Sequence, residues 1–474
     1  MTEASYLDLP ASELRKRNTL LKKDREAGLS GEEFEKKIRP LIKDDESIVA
    51  VTLCFADLEG KFHLLDYNKD YFFKSADNLT FDGSSIKGFS DLHESDLRLF
   101  PDWTSFHWLP ASIFGSGKVL MFAFIGGQDG SLYDGDMRAR LATLLKQLKQ
   151  EKNQLVFMAP EIEGHLLSGV DAEQQYFRKI KTFELATKSG YFSSLPHDDL
   201  RMYIDELARA LGMLGFENEK DHPEVAPAEF ELNYRYTEAL GAADQILLYK
   251  LIARQIAKSK GYTACFLPKP IVGINGNGMH TNISISENGK NIFYDGQKQG
   301  NISDTGNYFA AGILGHAKEL CLVMNSSVNA FRRLDPHFEA PNDIKMSSND
   351  RSSMIRIPLG NENSARLEIR SPSPDASPYL LTYSLIKAGL EGIENNMSIP
   401  ELVEKLPSSI HEALEIYLQS SFMKSILGES VHRKYAELKV LVADRSPREL
   451  GTVVKTTELI FHHEIRNQYL WGQF

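Results

Sequence analysis

Ionisable residues recur at every second position in five short stretches of this chain. Glu161 and Glu163 stand two apart in APEIEGHLL, and Glu229 and Glu231 in AEFELNYRY. His280, Asn282 and Ser284 alternate in GMHTNISIS, Arg356 lies between Ile355 and Ile357 in MIRIP, and ARLEIR carries Arg366, Glu368 and Arg370. Successive side chains of a β-strand point to opposite faces, so each stretch, folded as a strand, has an apolar face and a charged or polar one. A single strand of this kind reads equally well as a surface strand with an internal ion row. Five of them predict a sheet packed under helices on one side and curved around a polar cavity on the other. Carboxylates gathered there repel and raise one another's pKa unless cations neutralise them. An oxygen-rich ligand set with one imidazole suits Mg²⁺ or Mn²⁺, and planar guanidinium forks suit phosphate. Divalent cations, acidic ligands and arginines together describe phosphoryl transfer. Neither a Walker GxxxxGK[ST] nor the protein-kinase motif set occurs, so phosphate has to be held through metal and arginine on an open sheet.

The elements that position these residues follow from periodicity and caps. Residues 1–45 read as a helical, polar extension, with Ser30 and Glu33 forming a capping box ahead of Phe34, Ile38 and Ile42. From Ile48 the pattern turns to short strands and turns, and a small β domain spans 46–130. Beyond it, in 131–474, long helices alternate irregularly with strands. Asp136 caps a helix bearing Leu141, Leu144, Leu145 and Leu148, and DDLRMYIDELARALGMLGF is amphipathic. PEVAPAEFELNYRY reads as strand, YFAAGILGHAKELCLVMNSSV as one helix, and the tail from Pro400 as mostly helical. The irregular order predicts an α+β fold rather than a doubly wound sheet.

The bulk numbers narrow the class. The 474 residues exceed one typical core, and 42% hydrophobic with 25% charged residues is an ordinary globular composition. A net charge of -11 argues against nucleic-acid binding. Cys54, Cys265 and Cys321 are scattered without pairing motifs, no apolar run is long enough to span a membrane, and the start lacks a signal-peptide core. These features point to a soluble cytoplasmic protein with no membrane partner.

From about residue 48 the chain resembles type I glutamine synthetases of bacterial type. The motifs are FDGSS with HESDLRLFPD, PEIE, GYF, HPEVAPAEFEL, FLPKP with NGNGMH, RRLDPHFEAP, NDRSSMIRIP and RLEIRSPSPDASPYL, in that order. The resemblance implies an N-terminal β-grasp-like domain and a large catalytic domain with a curved antiparallel sheet backed by helices. It also implies a dodecamer of two hexameric rings, with active sites between neighbouring subunits, that ligates ammonium to the γ-carboxylate of L-glutamate. ATP would be a substrate and two or three Mg²⁺ or Mn²⁺ ions would be bound per site.

Carried over motif by motif, one metal would be held by Glu163, Glu224 and Glu231 and the other by Glu161, His280 and Glu368. Arg351 and Arg356 would stabilise the transferring phosphoryl group. Glutamate would meet Asn275, Gly276, Arg333 and Arg370, and the nucleotide Glu219, Tyr236, Asn282, Ser284 and Arg366. Asp82 (contributed by an adjoining subunit), Ser85, Tyr191 and Glu224 match the ammonium site, with Asp82 as base; Glu339 would close over the intermediate. Ammonia cannot displace oxide from a carboxylate, so phosphorylation to γ-glutamyl phosphate has to come first.

Other residues have plainer readings. Glu229 reads as a satisfied partner on the polar face, and His93, His165 and His222 as solvated or structural. The chain departs from the family in several places. Ala228-Glu229-Phe230 replaces a common Gly-Gln-His, and Pro223 replaces a second histidine. Asp91 stands where one branch carries its feedback arginine, and the adenylylated segment of another branch is missing from the short stretch 392–409. A γ-glutamyl–amine ligase of the same fold and a non-catalytic nitrogen-sensing homologue are the rival readings. The tail reads as a terminal helix on its own domain or, as the resemblance implies and the apolar Tyr469, Leu470, Trp471 and Phe474 favour, as an end inserted into the facing ring.

Overall fold

A computed structural model describes residues 9–86, 96–172, 183–188, 190–191, 198–334 and 340–443. Asp91, His93, Phe192, Glu339 and the whole tail from residue 444 lie outside the described residues.

The first sheet has six strands: β1 (Ala50–Ala56), β2 (Phe62–Asn68), β3 (Thr80–Asp82), β4 (Asp96–Pro101), β5 (His107–Trp108) and β6 (Lys118–Gly126). Their order is β2-β1-β6-β4-β3 with β5 also on β6; β1 runs parallel to β6 and the other pairs are antiparallel. Alternation along the central strands serves two cores at once. Val51, Leu53, Val119 and Met121 face the two leading helices, α1 (Ala11–Glu26) and α2 (Gly31–Asp44), which contribute Leu14, Leu21, Phe34, Ile38 and Ile42. Cys54, Ala56, Leu120 and Phe122 point the other way, into the large core.

The N-terminal extension is therefore the second layer of the small domain and not an appendage. The expected Ser30–Glu33 capping box forms. Asn18, buried in α1, donates from Nδ2 to the carbonyls of Trp108 and Met213 at 2.8 Å each and accepts from the Trp108 amide at 2.9 Å. One side chain thus ties the extension to both domains. Short helices α3 (Lys69–Lys74) and α4 (Ala111–Phe114) complete the small domain.

The second sheet has eleven strands, including β7 (Gln154–Ser168), β8 (Asn218–Pro223), β9 (Glu229–Tyr234), β10 (Thr237–Glu238), β11 (Tyr262–Cys265), β12 (Met279–Glu287) and β13 (Lys290–Asn291). The others are β14 (Asp343–Ser347), β15 (Ser353–Arg356), β16 (Leu367–Ile369) and β17 (Glu404–Lys405). The main path is β17-β14-β15-β16-β12-β7-β9-β8, antiparallel throughout except for the parallel pair β14 and β15. Helices α5 (Met137–Lys152), α6 (Asp199–Met213) and α7 (Ala239–Ser259) pack their apolar sides in the large core beneath it. The fold is α+β, a β-grasp domain followed by a large domain with a curved sheet.

Two elements differ from the sequence expectation. The single helix expected across 308–328 is three: α8 (Asp304–Gly315), α9 (Ala317–Met324) and α10 (Val328–Arg333). His316 sits at the first break with ψ 12, its ring stacked 3.7 Å from Phe422 and its Nδ1 2.6 Å from Glu319 Oε2, so tertiary contacts outweigh helix continuation. The stretch 223–236 is not one strand but the turn of a hairpin followed by β9, with Ala228 in the left-handed region at φ 60. The chain ends in α11 (Pro378–Glu394), α12 (Ile410–Gln419) and α13 (Ser421–Ala443), the last kinked at Gly428, as far as it is described.

Candidate active site

Strand register brings the alternating residues into rows. His222 of β8 pairs with Glu231 of β9, which sits at the same level as Glu163 of β7. Glu161 of β7 faces His280 of β12; Asn282 faces Glu368 of β16, and Glu368 faces Arg356 of β15. Apart from Asn282, these residues line a cavity of about 420 Å³ together with Asn275, Gly276, Arg333, Arg351 and Arg370. Tyr191 and Glu224 also line it.

Two clusters of ligand-type atoms form, each with its atoms within 4.8 Å of one another: Glu161–His280–Glu368 and His222–Glu224–Glu231. In the first, His280 Nδ1 is 3.7 Å from Glu161 Oε2 and 3.9 Å from Glu368 Oε1. In the second, His222 Nδ1 is 3.2 Å from Glu224 Oε1 and its Nε2 3.9 Å from Glu231 Oε1. The first is the triad expected from the resemblance. The second differs from expectation, because His222, read as solvated or structural, takes the place given to Glu163. Glu163 lies between the clusters, its Oε1 3.8 Å from His280 Nε2 and its Oε2 accepting from the Gly278 amide. Gly278 permits this approach: a Cβ there would come within 2.5 Å of Arg333 Nη2 and 2.8 Å of His280 Nε2. At Gly276 a Cβ would lie 2.2 Å from the Pro268 carbonyl oxygen.

The crowding has an electrostatic signature. Burial and then the charge of Glu163 push the Glu224 carboxyl up to about 7. Burial and the charges of Glu161, Glu163 and Glu224 push Glu231 well up. Burial also raises the Glu161 carboxyl, but hydrogen bonding and attraction from His280, with help from Asn282, outweigh it and hold Glu161 low. Such a set is unfavourable alone and favourable around a cation. Carboxylate oxygens with one imidazole in each cluster fit a hard divalent ion.

Cationic groups stand opposite. Arg356 Nη1 donates to Glu368 Oε2 at 2.8 Å, and Arg370 Nε lies 3.2 Å from Glu368 Oε1. Arg333 is buried, donating to the carbonyls of Ser371 and Arg370 at 3.0 Å each; burial lowers its pKa to about 10, which leaves it charged at neutral pH. Arg351 lines the same cavity.

A second cavity of about 210 Å³ shares Glu161 and Lys220 with the first. Glu219, Tyr236, Asn282, Ser284 and Arg366, the residues expected on the nucleotide side, all line it. Asn282 links the two spaces: its Nδ2 donates to Glu161 Oε1 at 2.9 Å and its Oδ1 accepts from Arg366 Nε at 2.8 Å.

Glu229 is satisfied only in part among the described residues: buried in the first cavity, its Oε2 accepts from the Ala226 amide, and its Oε1 has no partner among them. His165 does fit a structural reading, buried with Nδ1 2.7 Å from Asn277 Oδ1. Asp82 and Ser85 are not brought to the cavity of their own chain. Asp82 ends β3, the edge strand of the six-stranded sheet, exposed and accepting from Ser84 and Ser85, whose hydrogen bonds lower its pKa.

Comparison with known proteins decides the family. The glutamine synthetase catalytic-domain profile matches residues 134–445, and the glutamine synthetase beta-Grasp profile residues 47–125. The chain belongs to the glutamine synthetase family. It is 34% identical over 436 residues to a glutamine synthetase of Thermotoga maritima, covering 88% of this chain and 97% of the relative. It is 36% identical over 396 residues to that of Methanosarcina mazei, covering 80% and 86%. Among solved structures it resembles apo GmaS without ligand, with TM-score 0.74 at 23% identity over 90% of this chain and 97% of that one. A GmaS/ADP complex gives TM-score 0.73 at 23% identity over 89% and 98%, and both likenesses concern the fold. The glutamine synthetase family uses ATP and divalent metals, with glutamate and ammonium as substrates, and is typically oligomeric. Among the described residues no helix is long and apolar enough to cross a membrane.

Proposed function

We propose that this chain is a type I glutamine synthetase that joins ammonium to the γ-carboxylate of L-glutamate, converting ATP to ADP and phosphate through γ-glutamyl phosphate. The observation that carries this reading is the convergence of two carboxylate–imidazole clusters and an arginine group in one cavity, beside a second cavity lined by the nucleotide-side residues.

Two or three Mg²⁺ or Mn²⁺ ions, held by Glu161, His280 and Glu368 and by His222, Glu224 and Glu231 with Glu163 between, would neutralise the carboxylates and draw charge from phosphate and carboxylate oxygens. The protein's own groups do the rest. Arg333 and Arg370, with Asn275 and Gly276, orient glutamate so that its γ-carboxylate oxygen attacks the terminal phosphorus of ATP and the bond to ADP breaks. Arg351 and Arg356 stabilise the charge that spreads over the transferring group, a preorganised effect worth several kcal/mol of barrier. Ammonium then loses a proton to Asp82 of a neighbouring copy. The nitrogen attacks the γ-carbon, and phosphate departs with the former carboxylate oxygen and the second proton of the nitrogen, leaving the amide.

The exposed position of Asp82 on an edge strand supports a ring in which each site borrows the β-grasp domain next to it; a dodecamer of two hexameric rings is the proposed assembly. Three buried free thiols suit a reducing cytoplasm.

A second reading has one observation behind it. Glu229 Oε1, without a partner among the described residues, places an extra buried polar atom in the same cavity, which would suit an amine larger than ammonia. Phosphate release with glutamate, ATP and Mg²⁺ across ammonium, methylamine and a polyamine decides between them. Ammonium turning over fastest supports glutamine synthesis; an amine far ahead of ammonium supports a γ-glutamyl–amine ligase. No release with any of them refutes both.

A further inference from the structure

The two site cavities meet along a narrow boundary. Among the described residues only Glu161 and Lys220 line both. A nucleotide whose base and ribose occupy the second cavity has to pass its phosphates across this boundary to reach a carboxylate held in the first. Glu161 repels phosphate until a cation covers it, whereas Lys220 attracts it.

Strand register aims Lys220 at this place. On β8, Lys220 lies opposite Asn233 and His222 opposite Glu231, so both face the cavities, while Asp221 between them turns to Arg201 of α6. The irregularity between Asn218 and Lys220 leaves Glu219 as an extra residue, which lines the nucleotide side beside Lys220.

Lys220 is exposed, and it forms no hydrogen bond or ion pair among the described residues. Its charge is nevertheless felt on both sides. At Glu161 burial raises the carboxyl, His280 and Asn282 lower it, and Lys220 lowers it further; at His222 burial lowers the imidazole and Lys220 adds to that. The arginines nearby are already engaged. Arg356 and Arg370 meet Glu368, and Arg366 donates to Asn282 and to the Ser364 carbonyl. They also come from the β15–β16 part of the sheet, and β8 is the strand at the opposite end of its main path. A lysine on an edge strand is ordinarily a solvated charge. This one stands where a triphosphate has to cross, with its ammonium uncommitted to any carboxylate by an ion pair.

We propose that Lys220 is a further catalytic residue, whose ammonium donates to the β- and γ-phosphate oxygens of bound ATP and stabilises ADP as it leaves. This rests on the reading of the second cavity as the nucleotide side. As the γ-carboxylate oxygen of glutamate bonds to the terminal phosphorus, the bond from that phosphorus to the bridging oxygen breaks, and its electron pair stays on ADP. Lys220 keeps its proton throughout and meets the charge growing on that oxygen from the β8 side. Arg351 and Arg356 meet the transferring group from the β15 side. A compact ammonium on a flexible stem suits this role, since it can follow the phosphates as a point charge.

The test is titration calorimetry of the full-length protein in Mg²⁺ with ATP and, by displacement, with adenosine, alongside steady-state phosphate release. Lys220→Met removes the charge and Lys220→Arg keeps it. The side chain is exposed, so both variants should fold, which thermal melts check. Lys220→Met is expected to weaken ATP by about 10–100-fold and lower kcat about tenfold or more, with adenosine binding changed less than about twofold. Lys220→Arg should retain most of both, because a guanidinium also binds phosphate. Unchanged ATP affinity in Lys220→Met, equal weakening of ATP and adenosine, or Lys220→Arg as impaired as Lys220→Met would each overturn the proposal. The calorimetry needs neither glutamate nor an amine, so it decides the phosphate contact separately from whether the chain ligates ammonium.

Discussion

Replacing Glu224 by glutamine separates two effects that the site combines. Glu224 is held by burial and by Glu163 with its carboxyl raised from 4.5 to about 7, which corresponds to about 3 kcal/mol against its ionised form. Between those pH values the unfolded chain is ionised at this position while the folded chain keeps its proton. The stability of the metal-free protein therefore falls as pH rises from about 4.5 to about 7, and is level above that as far as this group decides it. Glutamine carries no such penalty and keeps a carbonyl oxygen for the Val225 amide, which Glu224 Oε2 now accepts at 3.2 Å. With relaxation of the neighbouring carboxylates, the metal-free variant should be more stable than the parent at pH 8 by about 1–3 kcal/mol, and equal to it near pH 4. Mg²⁺ should stabilise the parent strongly and the variant much less, because a charged ligand has been lost. Thermal melts at pH 5 and 8, in EDTA and in saturating Mg²⁺ at fixed protein concentration, measure both effects. A metal-free variant less stable than its parent at pH 8, or one retaining the full Mg²⁺-dependent gain, would refute the reasoning.

Further expectations follow from the same geometry. Arg356→Ala should lower kcat by about 10²–10³-fold with a smaller effect on the KM for glutamate, as measured by steady-state phosphate release. Asp82→Ala and Glu368→Ala chains, inactive alone, should regain activity when co-assembled, with about a quarter of sites complete under random mixing; no recovery would place Asp82 outside the neighbour's site. Asn18→Ala should cost about 1–3 kcal/mol in urea unfolding, because the Trp108 amide and the carbonyls of Trp108 and Met213 lose their partner, while kcat stays unchanged.

Much of the site was legible because strand alternation is local. Glu161, His280 and Glu368 lie on three strands far apart in sequence, yet each could be assigned to a polar face from its immediate neighbours. His222 could not. Beside Pro223 and a run of charges it carries no alternating pattern, and its role arises from the β8–β9 register that sets it opposite Glu231. Glu229 was visible as a departure from the family, but that its Oε1 lacks a partner among the described residues is a fact of packing. The capping box of α2 was legible in four residues. The Asn18 clasp was not, since its partners lie 90 and 195 residues away. His316 breaks an expected helix through Phe422, a contact that no helical periodicity encodes.

The central claim is that these strands present a carboxylate to ATP for activation. Glutamate labelled with ¹⁸O in its γ-carboxylate, incubated with the protein, ATP, Mg²⁺ and ammonium, tests it directly by mass spectrometry of the released phosphate. One labelled oxygen in phosphate for each amide formed is the predicted result. Amide formation with unlabelled phosphate, or ATP cleavage without amide, would contradict it.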